Sequence, residues 1–242
     1  LSNCCAPNVT RTIAEVNNYA YNLSKEGLYV NLYGSNNLNS TTLSGEKIEI
    51  EQQTNYPWDG KITLKIVKAP KDVYAFLLRI PGWSQGTTIS VNGKNINEAI
   101  VSGSYQKIAQ KWKKGDVIEL NIPMPVELMQ ANPLVEEIKN QVAVKRGPIV
   151  YCLESNQLPV NVKVNDVILD LNSKFTTDFI KIDNRNLLSI NASSSVTPDD
   201  SWDKKLYKPI PKDEGKNYSI KLIPYFAWGN QGKGEMSVWL SN

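Results

Sequence analysis

The chain changes hydrophobic period once. Val9, Ile13, Val16, Ala20 and Leu23 recur at steps of three and four residues, which gathers apolar side chains on one stripe of a helix. Pro7 suits the first helical position and Gly27 a stop, since proline lacks an N–H that the first turn would leave unbonded and glycine tolerates a left-handed exit. The spacing predicts one helix between them. From Leu28 the period falls to two. Leu28, Val30 and Leu32 alternate with Tyr29, Asn31 and Tyr33. The alternation returns at Ile48 and Ile50, at Ile62, Leu64 and Ile66, at Tyr74, Phe76, Leu78 and Ile80, at Ile89 and Val91, and at Ile118, Leu120 and Ile122. Each run has one apolar face, as a half-buried strand does.

Turn chemistry separates these runs. Asp59-Gly60 and Asn92-Gly93 are two-residue hairpin signals, and Pro81-Gly82 and Lys114-Gly115-Asp116 read as ordinary turns. Pro123, Pro125 and Pro133 mark a change of domain, because proline interrupts ladder bonding and stiffens a connection. Beyond them strands are expected near Gln141 to Val144, Ile149 to Leu153, Val160 to Val164, Val167 to Leu171, Phe179 to Ile182 and Leu187 to Ile190. Ser193 to Lys216, with Pro198, Pro209 and Pro211, has no period and reads as a long surface loop. Tyr218 to Trp228 and Met236 to Leu240 close the pattern on either side of Gly229, Gly232 and Gly234. Many short strands between glycine and proline turns predict a mainly β chain, with two antiparallel, jelly-roll-like β-sandwich domains behind one helix.

Length and charge narrow the partners. A chain of 242 residues holds two domains or one large one. The net charge of +3 is too small to argue for nucleic acid or an anionic membrane, and no nucleic-acid partner is expected. No membrane span is expected either, since no run of eighteen apolar residues occurs.

The candidate chemistry sits at the start. Cys4 and Cys5 precede the helix, near the positive end of its dipole, which favours thiolate over thiol. Adjacent cysteines are poorly placed to bond each other and better placed to share a metal or divide the roles of ligand and nucleophile. Equally, both fit as small apolar residues closing a helix start. Cys152 lies in the apolar run Ile149 to Leu153 and reads as a buried strand residue. The chain has no histidine, which removes Ser-His and Cys-His relays and most catalytic zinc sets from within it. Trp58, Trp83 and Trp112 adjoin strand ends and read as core plugs, whereas Trp202 and Trp228 stay open to sugar stacking. Arg79 and Arg146 are candidates for pairing with carboxylates or carbonyls, and Asp199, Asp200 and Asp203 read as a solvated loop before a calcium site.

Seven stretches then align with one pattern. They are Cys4-Cys5-Ala6-Pro7-Asn8 with Glu15 behind it, Tyr56-Pro57-Trp58-Asp59-Gly60, Leu78-Arg79-Ile80-Pro81-Gly82-Trp83, Val91-Asn92-Gly93, Trp112 to Asp116, Lys145-Arg146-Gly147-Pro148-Ile149-Val150-Tyr151-Cys152, and Ala227-Trp228-Gly229-Asn230. In this order they resemble the β-L-arabinofuranosidases of glycoside hydrolase family 127. The resemblance implies a retaining glycosidase in which a zinc-bound thiolate stands where a nucleophilic carboxylate is usual. By motif position Cys4 would be nucleophile and zinc ligand, and Cys5 a second ligand. The other zinc ligands, the acid/base glutamate and the substrate-binding histidines would come from a preceding (α/α)₆ barrel.

The same resemblance implies a domain plan. Residues 1–26 would be the end of the barrel, 27–125 with 226–242 a first sandwich, and 126–225 a second sandwich inserted within it. The chain would be the C-terminal portion of an enzyme, inactive alone, with zinc held only when the barrel is present. Its partners would be that N-terminal barrel of the same protein and an oligosaccharide or polysaccharide of plant type bearing terminal β-L-arabinofuranose, in a periplasmic or secreted setting. A noncatalytic carbohydrate-binding or scaffold module, with structural cysteines, is the alternative.

Overall fold

A computed structural model of the chain describes residues 4–196, 206, 207, 209 and 216–242. Trp202 and the aspartates at 199, 200 and 203 lie outside the described residues. The chain divides after Met124 into two compact units.

The first unit begins with α1, Cys5–Glu15, and a single further turn, α2, Asn17–Ala20. The helix expected through Leu23 therefore stops early. Tyr21–Ser24 is instead strand β1, paired with β2, Gly27–Val30, so that Leu23 faces Leu28. Tyr21 and Leu23 also fit a period of two. Packing against the core settles the choice, as tertiary contacts override local propensity. Gly27 is no helix stop either: a Cβ there would overlap the Ala75 carbonyl, so a side chain would force β2 away from its neighbour.

Eight more strands follow: β3 Asn36–Thr41, β4 Lys47–Thr54, β5 Lys61–Lys68, β6 Tyr74–Arg79, β7 Thr88–Val91, β8 Lys94–Asn95, β9 Tyr105–Gln110 and β10 Val117–Asn121. They form one sheet in the order β1-β2-β6-β9 and another in the order β3-β4-β5-β10-β7-β8. Pairing is antiparallel except between β2 and β6. One apolar cluster takes Leu28, Val30, Phe76, Leu78 and Ile108 from the first sheet and Ile48, Ile50, Leu64, Ile66, Ile89, Ile118 and Leu120 from the second. Two sheets sharing one core make a sandwich.

Trp112 plugs it as expected. The ring is buried edge-on to Phe76 at 5.0 Å, and its Nε1–H donates to the Tyr74 carbonyl at 2.8 Å. Asn92-Gly93 is the expected two-residue turn, with φ of 51° and 76° joining β7 to β8. Asp59-Gly60 is not. It ends a longer loop between β4 and β5, and a Cβ on Gly60 would overlap the Ile122 carbonyl, while Ile122 N–H donates to the Gly60 carbonyl at 2.9 Å. Close backbone approach, and not turn geometry, selects glycine there.

The second unit carries β11 Val126–Gln130, β12 Gln141–Arg146, β13 Ile149–Glu154, β14 Val167–Leu169, β15 Thr176–Ile182, β16 Arg185–Val196, β17 Lys216–Pro224, β18 Met236–Ser237 and β19 Trp239–Ser241. The strand order is β11-β12-β19-β14-β16-β17-β13-β18, β15 pairs with β16, and β12 also pairs with β13. That last pairing closes six of these strands, β12-β19-β14-β16-β17-β13, into a circuit. Val142, Val144, Leu153, Ile190, Leu222 and Leu240 are buried within it.

Two expectations change here. Residues 226–242 do not return to the first sandwich: Leu240 in β19 faces Val142 of β12, and Ser241 faces Ile168 of β14. Leu240 is only 2% exposed, so the apolar row of β12 is what draws this segment into the second unit. Val160 to Val164 is not a strand either. Val160 is exposed, and Val164 opens a 3₁₀ turn closed by Lys163 N–H donating to the Asp166 carboxylate.

Candidate active site

The helix α1 places the thiols. Its first turns are knitted by side chains: Thr10 Oγ1 donates to the Ala6 carbonyl at 3.0 Å, Thr12 Oγ1 to the Asn8 carbonyl at 2.9 Å, and Arg11 Nη2 to Asn8 Oδ1 at 2.6 Å. Cys4 is the N-cap, already near helical with φ −93° and ψ −37°, and its side chain makes no capping bond. Cys4 and Cys5 are both exposed, with Sγ atoms 3.5 Å apart.

That separation decides what the pair can do. It is far beyond the roughly 2.05 Å of a disulfide. Sulfurs each about 2.3 Å from a tetrahedral zinc stand about 3.8 Å apart along one edge of the tetrahedron, close to the observed spacing. The donor set thus fits two neighbouring zinc ligands without rebuilding the backbone. Among the described residues no third histidine, cysteine, aspartate or glutamate joins them. Glu15 lies eleven residues along the helix, about 16 Å away at 1.5 Å per residue, where its carboxylate accepts from Tyr19 OH at 3.4 Å.

The third cysteine has the opposite setting. Cys152 is 1% exposed in β13, and burial, with the Glu154 charge second, pushes its thiol up to about 12. A group so reluctant to ionise is neither ligand nor nucleophile at neutral pH, in keeping with the strand reading.

The remaining candidates divide by setting. Trp83 packs against the first unit's core, and Trp58 is partly buried in the loop ahead of β5. Arg79 meets a carbonyl within its own unit, its Nε–H donating to Asn31 O at 2.7 Å, while Tyr33 OH donates to the carbonyl of Arg79 itself. Arg146 lies close enough to offset part of the rise that burial gives the Tyr151 phenol. Trp228 is about half-exposed on the connection after β17.

Two features escaped the sequence reading. Val9, Ile13 and Val16 are 58%, 68% and 43% exposed, and no residue of α1 is buried; the stripe was visible, its lack of cover was not. Glu154 is fully buried, with Oε1 accepting Gly229 N–H at 2.9 Å. A glutamate ending an apolar strand was the only signal for it.

Comparison with known proteins converges on one family. Residues 27–124 match the model described as "Beta-L-arabinofuranosidase, GH127 middle domain", and residues 126–241 match "Glycoside hydrolase family 127 C-terminal domain". A curated non-reducing end β-L-arabinofuranosidase of Bifidobacterium longum subsp. longum is 32% identical over 98% of this chain. The chain spans 36% of that relative's length. A solved glycoside hydrolase superposes with a TM-score of 0.93 at 39% identity, covering 99% of this chain and 40% of the other. A family 127 β-L-arabinofuranosidase from Geobacillus stearothermophilus T6 gives 0.88 at 33% identity, covering 99% and 37%.

Proposed function

Since the chain belongs to glycoside hydrolase family 127, as its middle and C-terminal domains, we propose that it carries the nucleophile half of a retaining β-L-arabinofuranosidase site. The observation that supports this most directly is the pair of exposed sulfurs 3.5 Å apart at the start of α1. Cys4 is the nucleophile and a ligand, and Cys5 a second ligand. Zinc, when bound, would hold both sulfurs as thiolates at neutral pH.

The Cys4 sulfur attacks the anomeric carbon of a terminal β-L-arabinofuranose, forming a C–S bond as the C–O bond to the aglycone breaks. The departing oxygen takes a proton from an acid that this chain does not supply. Water then displaces the sulfur, giving its proton to the same group, and two inversions retain configuration. Cys5 holds its neighbour in place: the two sulfurs share one helix start, so fixing one restricts the other. The acid/base group and the remaining ligands come from a segment outside these 242 residues, corresponding to the relatives' additional length.

Zinc measured by elemental analysis and release of a chromogenic β-L-arabinofuranoside test this on two proteins, the 242-residue chain and a version at the relatives' full length. Both signals are expected in the long protein and neither in the chain. Cys4→Ser in the long protein should cut turnover by more than about 10³-fold; retained turnover rejects Cys4 as nucleophile. Cys5→Ala should lower bound zinc, and unchanged stoichiometry rejects it as a ligand.

A further inference from the structure

The connection after β17 sets two half-exposed aromatic side chains on one short turn. Tyr225–Ala227 is one turn of 3₁₀ helix capped by Trp228, whose N–H donates to the Tyr225 carbonyl at 3.1 Å. Residues three apart eclipse on such a turn, so Tyr225 and Trp228 stand in one row. They are 48% and 46% exposed.

The turn is fastened from beneath. Buried Glu154 accepts Gly229 N–H at 2.9 Å. Ser155 takes Glu235 N–H on its Oγ at 3.0 Å and donates its own N–H to the Glu235 carbonyl at 2.9 Å. Gln157 Nε2 donates to Gln231 Oε1 at 3.0 Å. Burying a carboxylate is costly; Oε1 of Glu154 is used to hold the loop, while Oε2 is buried with no hydrogen-bond partner among the described residues. A turn whose backbone is held in advance loses little conformational freedom on contact, and tyrosine and tryptophan are the usual anchors of such contacts.

We propose that Tyr225 and Trp228 form a docking knuckle for the part of the enzyme that the relatives carry outside the span matched by these 242 residues. The proposal rests on the reading that the chain is one portion of a larger enzyme. The relatives' chains run well beyond it, since it spans only 36–40% of their lengths. Three of the four residues from Tyr225 to Trp228 are exposed aromatics, Phe226 being 57% exposed, while Ala227 is buried beneath them. A sugar subsite combines ring stacking with several placed polar groups, whereas three neighbouring aromatic rings suit the aromatic-enriched centre of a protein interface.

Hydroxyl-radical footprinting read by mass spectrometry tests it, on the chain and on the full-length version, normalised to Leu134 and Val160, each 89% exposed. Oxidation at Tyr225 and Trp228 is expected to fall at least fivefold in the long protein without sugar. The same protection is expected in its Cys4→Ser variant, which keeps docking separate from catalysis. Equal oxidation in both proteins overturns the proposal. Protection that arises only on adding an arabino-oligosaccharide also overturns it and assigns the rings to substrate.

Discussion

The three cysteines are one side chain in two settings, two exposed and one buried, and the burial of Cys152 is measurable through pH. The Cys152 thiol is pushed from an ordinary 9.0 up to about 12 by burial, and Glu154 adds to the rise. Below about pH 9 the thiol is neutral in folded and unfolded chains alike, and its stabilising contribution is intact. Between about 9 and 12 the unfolded chain ionises first, so stability falls as pH rises. Burial raises Tyr21 and Tyr151 from 10.0 to about 12 as well, adding to the loss in the upper part of that window. Cys152→Ala should flatten the lower part, between about pH 9 and 10, in urea midpoints measured across pH; an unchanged slope would show that the thiol ionises within the fold. The place of the cysteine pair at a helix start was legible because the helix signal lies in the residues that adjoin it. The setting of Glu154 was not, because its partner, Gly229, is 75 residues away.

Elements were legible where burial wrote a period into the sequence. β4, β5 and β10 bury every second residue, and their isoleucines and leucines announced them. β3 has Leu38 as its one large apolar residue, and its place beside β4 comes from ladder bonds that leave no apolar pattern. The end of the helix was misread for the converse reason: Tyr21 and Leu23 fit both periods, and the strand won through partners outside the segment. Gly60 tests a contact of this scale. Gly60→Ala should destabilise the first unit by about 1–3 kcal/mol, since the new methyl must displace the Ile122 carbonyl. Gly34→Ala is the control, because nothing lies within 4 Å of a Cβ there. Urea denaturation of the two variants decides it; equal midpoints would mean that the strand end moves aside freely.

At the scale of the molecule, the boundary after Met124 was written in prolines, but the connectivity of the second unit was not. Nothing in Trp239–Ser241 says which strands it will join, since three residues with one apolar inward position suit any buried row. The structure sets this strand between β12 and β14. Removing residues 239–242 should therefore open the second circuit while the first unit stays folded. In hydrogen exchange, amides of β12, β16 and β17 should lose protection and those of β4, β5 and β10 keep it; retained protection in β12 would show that the circuit closes without β19. The placement also sets an order of events at the ribosome. The first unit has every strand in hand by residue 121 and is free to fold while the rest is being made. The second must wait with its circuit unclosed, its apolar rows open to the chaperones of the cell, until residue 241 has left the exit tunnel.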